Sequence, residues 1–348
     1  MCKKNLTILM IQYKRLQYID CLRGAAMLMV VYSHVLSFMM GRLQPSPLGQ
    51  YMRDIMLPLF FFISGFCAYK SNREWSLRSF GQQVWGKTRA ILIPTIIMFL
   101  LMMLYSGQNV MDVIFRYDKS GYWFTWVLFQ ILIVYTVFDV VSRSFSNRWF
   151  RLAVTLLPLV LFAVIFHFVG YGSRAAYLFE WVKVVGFYYF FLAGVLVRWY
   201  QPQVQKVLAN KYISSGLLIT ALVVYNQFGG GKTMLLNVLL VYFVFQSVEL
   251  WFSRQGNHLT YVLSTIGRNT LEIYFIHFFL LFTIPVVPEW LNSLSSDACF
   301  GNRGCNSLPE FVIVGAISVF LCYVSIAIKK VVGLFPLVYE LCFGPQKK

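Results

Sequence analysis

The strongest constraint on this chain is a succession of apolar runs, each close to the roughly 20 residues that an α-helix needs to cross a bilayer. They fall at 22–40, 54–70, 90–106, 122–141, 152–169, 182–199, 213–228, 233–252, 267–287 and 310–328, joined by short polar or basic stretches. A backbone in hydrocarbon must satisfy its own hydrogen bonds, so runs of this length read as helices. The expected fold is all-α, a polytopic membrane bundle of about ten transmembrane helices. Composition agrees: 59% of residues are hydrophobic and 12% charged, and the mean hydropathy of +0.66 lies outside the soluble range. Only Gly229, Gly230, Gly231 and Lys232 divide the seventh run from the eighth, which reads as a tight hairpin.

A net charge of +17 would suit nucleic acid, but the basic residues sit in short patches between the apolar runs, which argues for topology and against a nucleic-acid partner. Most of the 30 Lys and Arg residues lie in the N-terminal segment and in the stretches after even-numbered runs, among them Lys70, Arg73, Lys87, Arg143, Arg198, Lys329 and Lys330. The positive-inside rule then puts both termini in the cytoplasm. Lys3 and Lys4 precede only a short interrupted apolar run, so the first span is expected to serve as an uncleaved anchor. The chain divides into a cytoplasmic N-terminal segment (1–17), a transmembrane domain (18–328) and a cytoplasmic tail (329–348). Cys299 and Cys305 fall in the last external loop, where an oxidising compartment lets them pair. No residue spacing suggests a metal site.

The stretch from Tyr18 to His34 concentrates the chemistry. Arg23 and His34 are eleven steps apart, so at 100° per residue both lie on one helix face, with Met27 and Val30 between them and about 16 Å along the axis. An arginine at a membrane surface suits a phosphate, and a deep imidazole suits proton transfer; together they fit a long ligand with an anionic head. The ninth run carries a second histidine, His277, at similar depth, sharing a face with Thr270 and Tyr274, while Arg268 and Glu272 at i, i+4 can neutralise each other. Ionisable groups at such depth are costly and point to function, although a histidine hydrogen-bonded between helices for packing satisfies the same pattern. Asp20 is placed to orient Arg23. In the second run Ser64 and Gly65 are expected near the depth of His34, Ser64 as a hydrogen-bond partner for a substrate and Gly65 for close helix packing. Lys87 and Arg89 add cations that suit phosphate groups or simply anchor the span. Trp123, among the aromatics opening the fourth run, suits a membrane interface or a sugar ring. His167 and Glu180 flank an external loop where an acceptor could bind.

The segments IDCLRGAAMLMVVYSH, LFFFISGF, the basic loop ending in Ile-Pro, GYWFTWVLF, FYYFFLAGVLV and IGRNTLEIYFIH occur in the order and spacing of the acyltransferase-3 family of integral membrane O-acyltransferases. The resemblance spans roughly Tyr18 to Ile328. It departs from the family where two arginines three apart are common, since this chain has Lys87, Arg89 and Ala90. The resemblance implies a multi-pass enzyme of the bacterial cytoplasmic (inner) membrane. Such an enzyme moves an acyl group, commonly acetyl, from cytoplasmic acyl-CoA to a hydroxyl of a cell-envelope carbohydrate or its lipid-linked precursor. Acyl-CoA is then a co-substrate and no bound cofactor is expected. By the same resemblance, Arg23 and His34 take the family's paired positions, and Ser64, Arg89 and His277 fall in its motif segments. On this reading Arg23, supported by Lys87 and Arg89, would hold the CoA phosphates, His34 would act as general base, and His277 would orient the acceptor or join the proton path. Ser64, Tyr274 and Trp123 would position substrate, and Asp20 and Glu272 would support the cations. Two rivals fit the span count: a transporter or flippase for a glycolipid or organic anion, and a glycan polymerase or ligase. The absence of a detectable repeat argues against the first, and short external loops argue against the second.

Overall fold

The structure, a computed structural model, describes residues 16–41, 46–169, 173–208, 210, 212–213, 215–216, 219–220, 223, 234–252, 258–282 and 307–345. The elements in order are α1 (Gln17–His34), α2 (Pro47–Ala68), α3 (Leu77–Lys87), α4 (Ile93–Ser106), α5 (Val110–Ile114), α6 (Trp123–Arg143), α7 (Arg148–Val169) and α8 (Arg174–Phe179). There follow α9 (Trp181–Trp199), α10 (Gln201–Leu208), α11 (Met234–Phe252), α12 (His258–Arg268), α13 (Thr270–Leu280), α14 (Ser307–Val332) and α15 (Pro336–Phe343). Among the described residues, seven helical stretches are long and apolar enough to cross a membrane, and Met234–Val244 and Thr270–Leu280 are shorter apolar helices. Most of the run expected at 213–228, the glycine hairpin after it, and Cys299 with Cys305 lie outside the described residues.

Helix boundaries follow local chemistry. Ser46 caps α2 by accepting from the Gly49 amide, with Pro47 following where a proline costs no hydrogen bond. Ser76 and Ser79 form a reciprocal capping box at α3. That helix runs on through a π-helical segment, Thr88–Leu92, into α4, so the third span is continuous from Leu77 to Ser106. A second π-helical segment, Val35–Met39, follows His34 directly. Helical segments of this kind are rare and cluster at functional sites.

The core is built around α1 and α2, whose span windows are 61% buried against 17% for the peripheral α7. Glycine makes both of the tight crossings. A Cβ on Gly267 of α12 would stand 1.8 Å from the Asp20 carbonyl oxygen of α1, and one on Gly24 would stand 2.0 Å from that of Leu263. Gly65 of α2 and Gly194 of α9 meet the carbonyls of Phe191 and Phe62 in the same way. Hydrocarbon solvent provides no hydrophobic drive between helices, so such close backbone approach is how they hold each other. The packing expected of Gly65 is thus present.

The ninth span departs from expectation. Asn269 (φ −115°, ψ 22°) interrupts the helix, giving α12 and α13 in place of one span over 267–287. The i, i+4 geometry between Arg268 and Glu272 is lost with it: Arg268 Nε lies 3.7 Å from Asp20 Oδ2, while Glu272 pairs with Lys329.

A buried charge cluster ties the two turns before α6 and α9. Both Lys119 Nζ and Lys183 Nζ lie 3.1 Å from Glu180 carboxylate oxygens, and all three residues are buried. Lys119 also donates to the carbonyls of Ile114 (2.6 Å) and Tyr177 (2.7 Å), and Lys183 Nζ sits 3.6 Å and 4.0 Å from the ring centres of Tyr117 and Trp123. Burial pulls the Lys119 ammonium below the ordinary lysine range, and the Glu180 charge opposes that pull. Glu180 therefore serves the scaffold and is not the exposed acceptor contact its position suggested. Lys119, Ser120 and Glu180 hold left-handed backbone angles (φ 42°, 51°, 55°), a conformation that non-glycine residues keep only when neighbours impose it. Glu180→Gln leaves two buried ammonium groups without their carboxylate and is expected to cost about 3 kcal/mol, measured as a lower thermal unfolding midpoint. An unchanged midpoint would mean the cluster contributes nothing net.

Candidate functional site

Two histidines from different helices meet in the bundle. His34 Nδ1 lies 2.9 Å from His277 Nε2, with the ring planes parallel to within 2°. His277 is completely buried, and its Nδ1 lies 2.9 Å from the Ile273 carbonyl oxygen one turn earlier in α13. That contact decides the tautomers. A carbonyl can only accept, so His277 Nδ1 carries the proton and, in the neutral pair, His277 Nε2 accepts from His34 Nδ1–H. The lone pair of His34 is thereby left on Nε2, the nitrogen not engaged by its neighbour. Phe278 lies against His34 with ring centres 4.7 Å apart, and the π-helical turn after His34 is tied to α2 by Arg53, which donates to Ser37 Oγ at 3.2 Å.

A cavity of about 750 Å³ opens at the end of the bundle where α1 begins and α14 ends. Its mouth is basic: Arg23, Lys87, Arg268, Lys329 and Lys330 all line it. Deeper in, its walls are apolar, from Met27, Phe60, Ile63, Phe124 and Leu128, and it reaches Tyr274. Neither histidine lines it. Along α1 the seven residues from Met27 to His34 span about 10 Å, and along α13 the three from Tyr274 to His277 span about 4.5 Å, so the cavity stops one to two helical turns short of the pair. Tyr274 lies between the cavity and the pair, lining the cavity with its ring centre 6.1 Å from that of His277. Its hydroxyl donates to the Gly121 carbonyl, and a Cβ on Gly121 would stand 2.2 Å from the Phe278 ring.

Of the residues singled out in the sequence, Arg23, Lys87, Ser64, Tyr274 and Glu272 line this cavity. Ser64 does so well away from the depth expected for it. Because α2 begins at Pro47, Ser64 lies only four residues from its end at Ala68, toward the basic mouth, and its hydroxyl donates to the Phe60 carbonyl at 2.8 Å. Arg89 sits in the π-helical segment and pairs with Glu340 of α15, and it is not among the lining residues. Asp20, expected to orient Arg23, lies with Oδ2 3.7 Å from Arg268 Nε. Trp123 stacks on Phe187 (ring centres 5.8 Å) beneath Lys183 and does not line the cavity.

Sequence reasoning missed Arg268, Lys329 and Lys330 as cavity residues because each read as an ordinary inner-leaflet anchor or a local partner. It also passed over Tyr339 and Phe343, which come from the segment expected to be a tail. One signal was available, since the two adjacent lysines close the most apolar span among the described residues (mean hydropathy 2.6). Chemically, the arrangement offers a basic mouth, an apolar passage, and a hydrogen-bonded imidazole pair beyond its far end.

Compared with models of protein families, residues 16–327 match the acyltransferase-3 model, described as an acyltransferase domain. No curated protein and no solved structure matches the chain.

Proposed function

From the fact that this multi-pass chain belongs to the acyltransferase-3 family, we propose that it transfers an acyl group, acetyl foremost, from cytoplasmic acyl-CoA to a hydroxyl of a cell-envelope carbohydrate or its lipid-linked precursor. The basic end of the bundle is the cytoplasmic one in this reading, and the membrane is the bacterial inner membrane. The observation that carries it is the cavity, because a basic mouth, an apolar passage and a histidine pair beyond it match in order the phosphates, thiol arm and thioester of an acyl-CoA.

Arg23 and Lys87 hold phosphate oxygens, the arginine through a forked pair of donors. Glu272 and Asp20 keep Lys329 and Arg268 in place through the ion pairs described above. The pantetheine arm runs past Ser64 and Met27 toward Tyr274, which must turn aside for the thioester to reach His34. His34 Nε2 then takes the proton of the acceptor hydroxyl as that oxygen bonds to the thioester carbonyl carbon. The C–S bond breaks, and the departing thiolate takes the proton back from His34, leaving an ester and free CoA thiol. His277 acts through His34: its Nε2 fixes which nitrogen of His34 is the base, and it accepts the hydrogen bond of the imidazolium formed in passing. Trp123 lies near the far end, where the acceptor sugar would enter.

The test is acyl-CoA turnover by the full chain in lipid nanodiscs, supplied with a cell-envelope glycan extract. Arg23→Ala is expected to raise the KM for acyl-CoA by roughly tenfold, the loss of one charge-assisted contact, with a smaller effect on kcat. Cys67, an exposed thiol that lines the same cavity, supplies an independent readout, since acyl-CoA should slow its modification by maleimide. Wild-type protein that consumes no acyl-CoA, and whose Cys67 is not protected by it, overturns the reading in favour of transport.

A further inference from the structure

Phosphates account for the cations of the cavity and an acyl-thiol arm accounts for its apolar depth, but neither accounts for α15. This helix is too short to span a membrane, yet it turns back beneath the bundle and presents Tyr339 and Phe343 to the cavity, followed by Pro345. The two rings pack edge to face with centres 5.4 Å apart. Three contacts fix the helix in place. Tyr339 donates to Glu272 Oε1 at 3.1 Å, Glu340 pairs with Arg89, and Gly344 lies against the backbone of Arg89 and Ala90. Leu334 and Phe335, in the turn just before the helix, and Leu337 within it are 75%, 62% and 73% exposed, an outward apolar surface suited to the boundary between headgroups and acyl chains. The segment is thus a wall between lipid and cavity, with its aromatic side turned inward.

We infer that α15 is the nucleotide-facing wall of the donor site: the purine ring of the acyl carrier packs against Tyr339 and Phe343 while its phosphates meet the cations of the mouth. This rests on acyl-CoA as the donor and adds which part of it the C-terminal helix recognises. Every base presents a π-face, and base–aromatic stacking is strong enough to measure by substitution. Arg89 then contributes at one remove, holding the wall through Glu340. That explains why a cation in the expected phosphate-binding loop does not line the cavity.

The experiment measures binding of three probes to the full chain in nanodiscs: CoA, its nucleotide half adenosine 3′,5′-bisphosphate, and its other half 4′-phosphopantetheine. Tyr339→Leu and Phe343→Leu are expected to weaken the bisphosphate and CoA by about tenfold each and to leave phosphopantetheine unchanged, which also shows that the site remains folded. Tyr339→Phe keeps the ring and is expected to retain nucleotide affinity. Glu340→Gln releases the wall from Arg89 without altering the rings and should weaken the bisphosphate by about two- to fivefold, the range for a partly exposed ion pair. Equal weakening of all three probes by the leucine variants, or no weakening of the nucleotide half, overturns the inference while leaving the donor assignment standing. Wild-type protein that binds none of the three overturns both.

Discussion

Acyl transfer is expected to fall by about a thousandfold or more in His34→Ala, a loss in the range of a positioned general base, while CoA affinity stays within about twofold of wild type because His34 does not line the donor cavity. The separation matters: the substitution removes the proposed base but leaves the cations and apolar walls intact. His277→Ala should retain CoA binding too and lose less, roughly a hundredfold in kcat. The Ile273 carbonyl fixes the His277 tautomer and His277 fixes that of His34, so without His277 the His34 ring is free to present either nitrogen. Single-turnover rates with preloaded acyl-CoA, alongside CoA binding isotherms, check both statements. A His34→Ala enzyme with wild-type turnover would remove the imidazole from the chemistry altogether, and equal losses in both variants would mean that the two rings act as one unit.

The largest effect on stability is expected at the α1–α12 crossing. Gly267→Leu should abolish the folded bundle, because the new side chain must start 1.8 Å from the Asp20 carbonyl oxygen and 2.9 Å from the Gly24 amide nitrogen, both on a helix backbone that cannot turn aside. Even Gly267→Ala is expected to cost about 3 kcal/mol, since the crossing must open and give up its contacts. The same crossing brings Arg268 to Asp20, so its loss also disorders the cavity mouth. Gly86→Ala is the control: a Cβ there meets nothing within 4 Å, and alanine favours the helix. Yield of monodisperse protein and thermal midpoint in detergent are the readouts. A Gly267→Leu protein as stable as wild type would show that the crossing is not held as closely as this.

The functional elements differ in how far they could be read from residues alone. His34 and His277 were legible as a pair because two separate one-dimensional signals, a histidine deep in an apolar run and a basic start to that run, occurred twice at matching depth. Their meeting at 2.9 Å is the three-dimensional form of that coincidence. Ser64 was misplaced in depth because an apolar run reports where hydrocarbon begins, whereas the helix begins at its cap, Ser46. The Arg268–Glu272 pairing failed for a related reason: spacing presumes an unbroken helix, and Asn269 breaks it. The C-terminal segment was invisible as part of a site, since eight residues ending in Cys342 and Phe343 carry no signal until something is placed above them.

The sequence by itself determined the architecture class and singled out the two deep histidines. Hydrophobic run length is set against a fixed bilayer thickness, and a charged or imidazole side chain in such a run is expensive enough to stand out without knowledge of its neighbours. Only the tertiary structure decided the pairings: which histidine nitrogen is left with its lone pair, which of many basic residues share one cavity, and that Arg89 pairs with Glu340 and does not line that cavity. Those outcomes depend on helices crossing at Gly24, Gly65, Gly194 and Gly267 within contact distance of one another's carbonyls. Contact across helices is set by packing between residues far apart in the chain, and no local pattern encodes it.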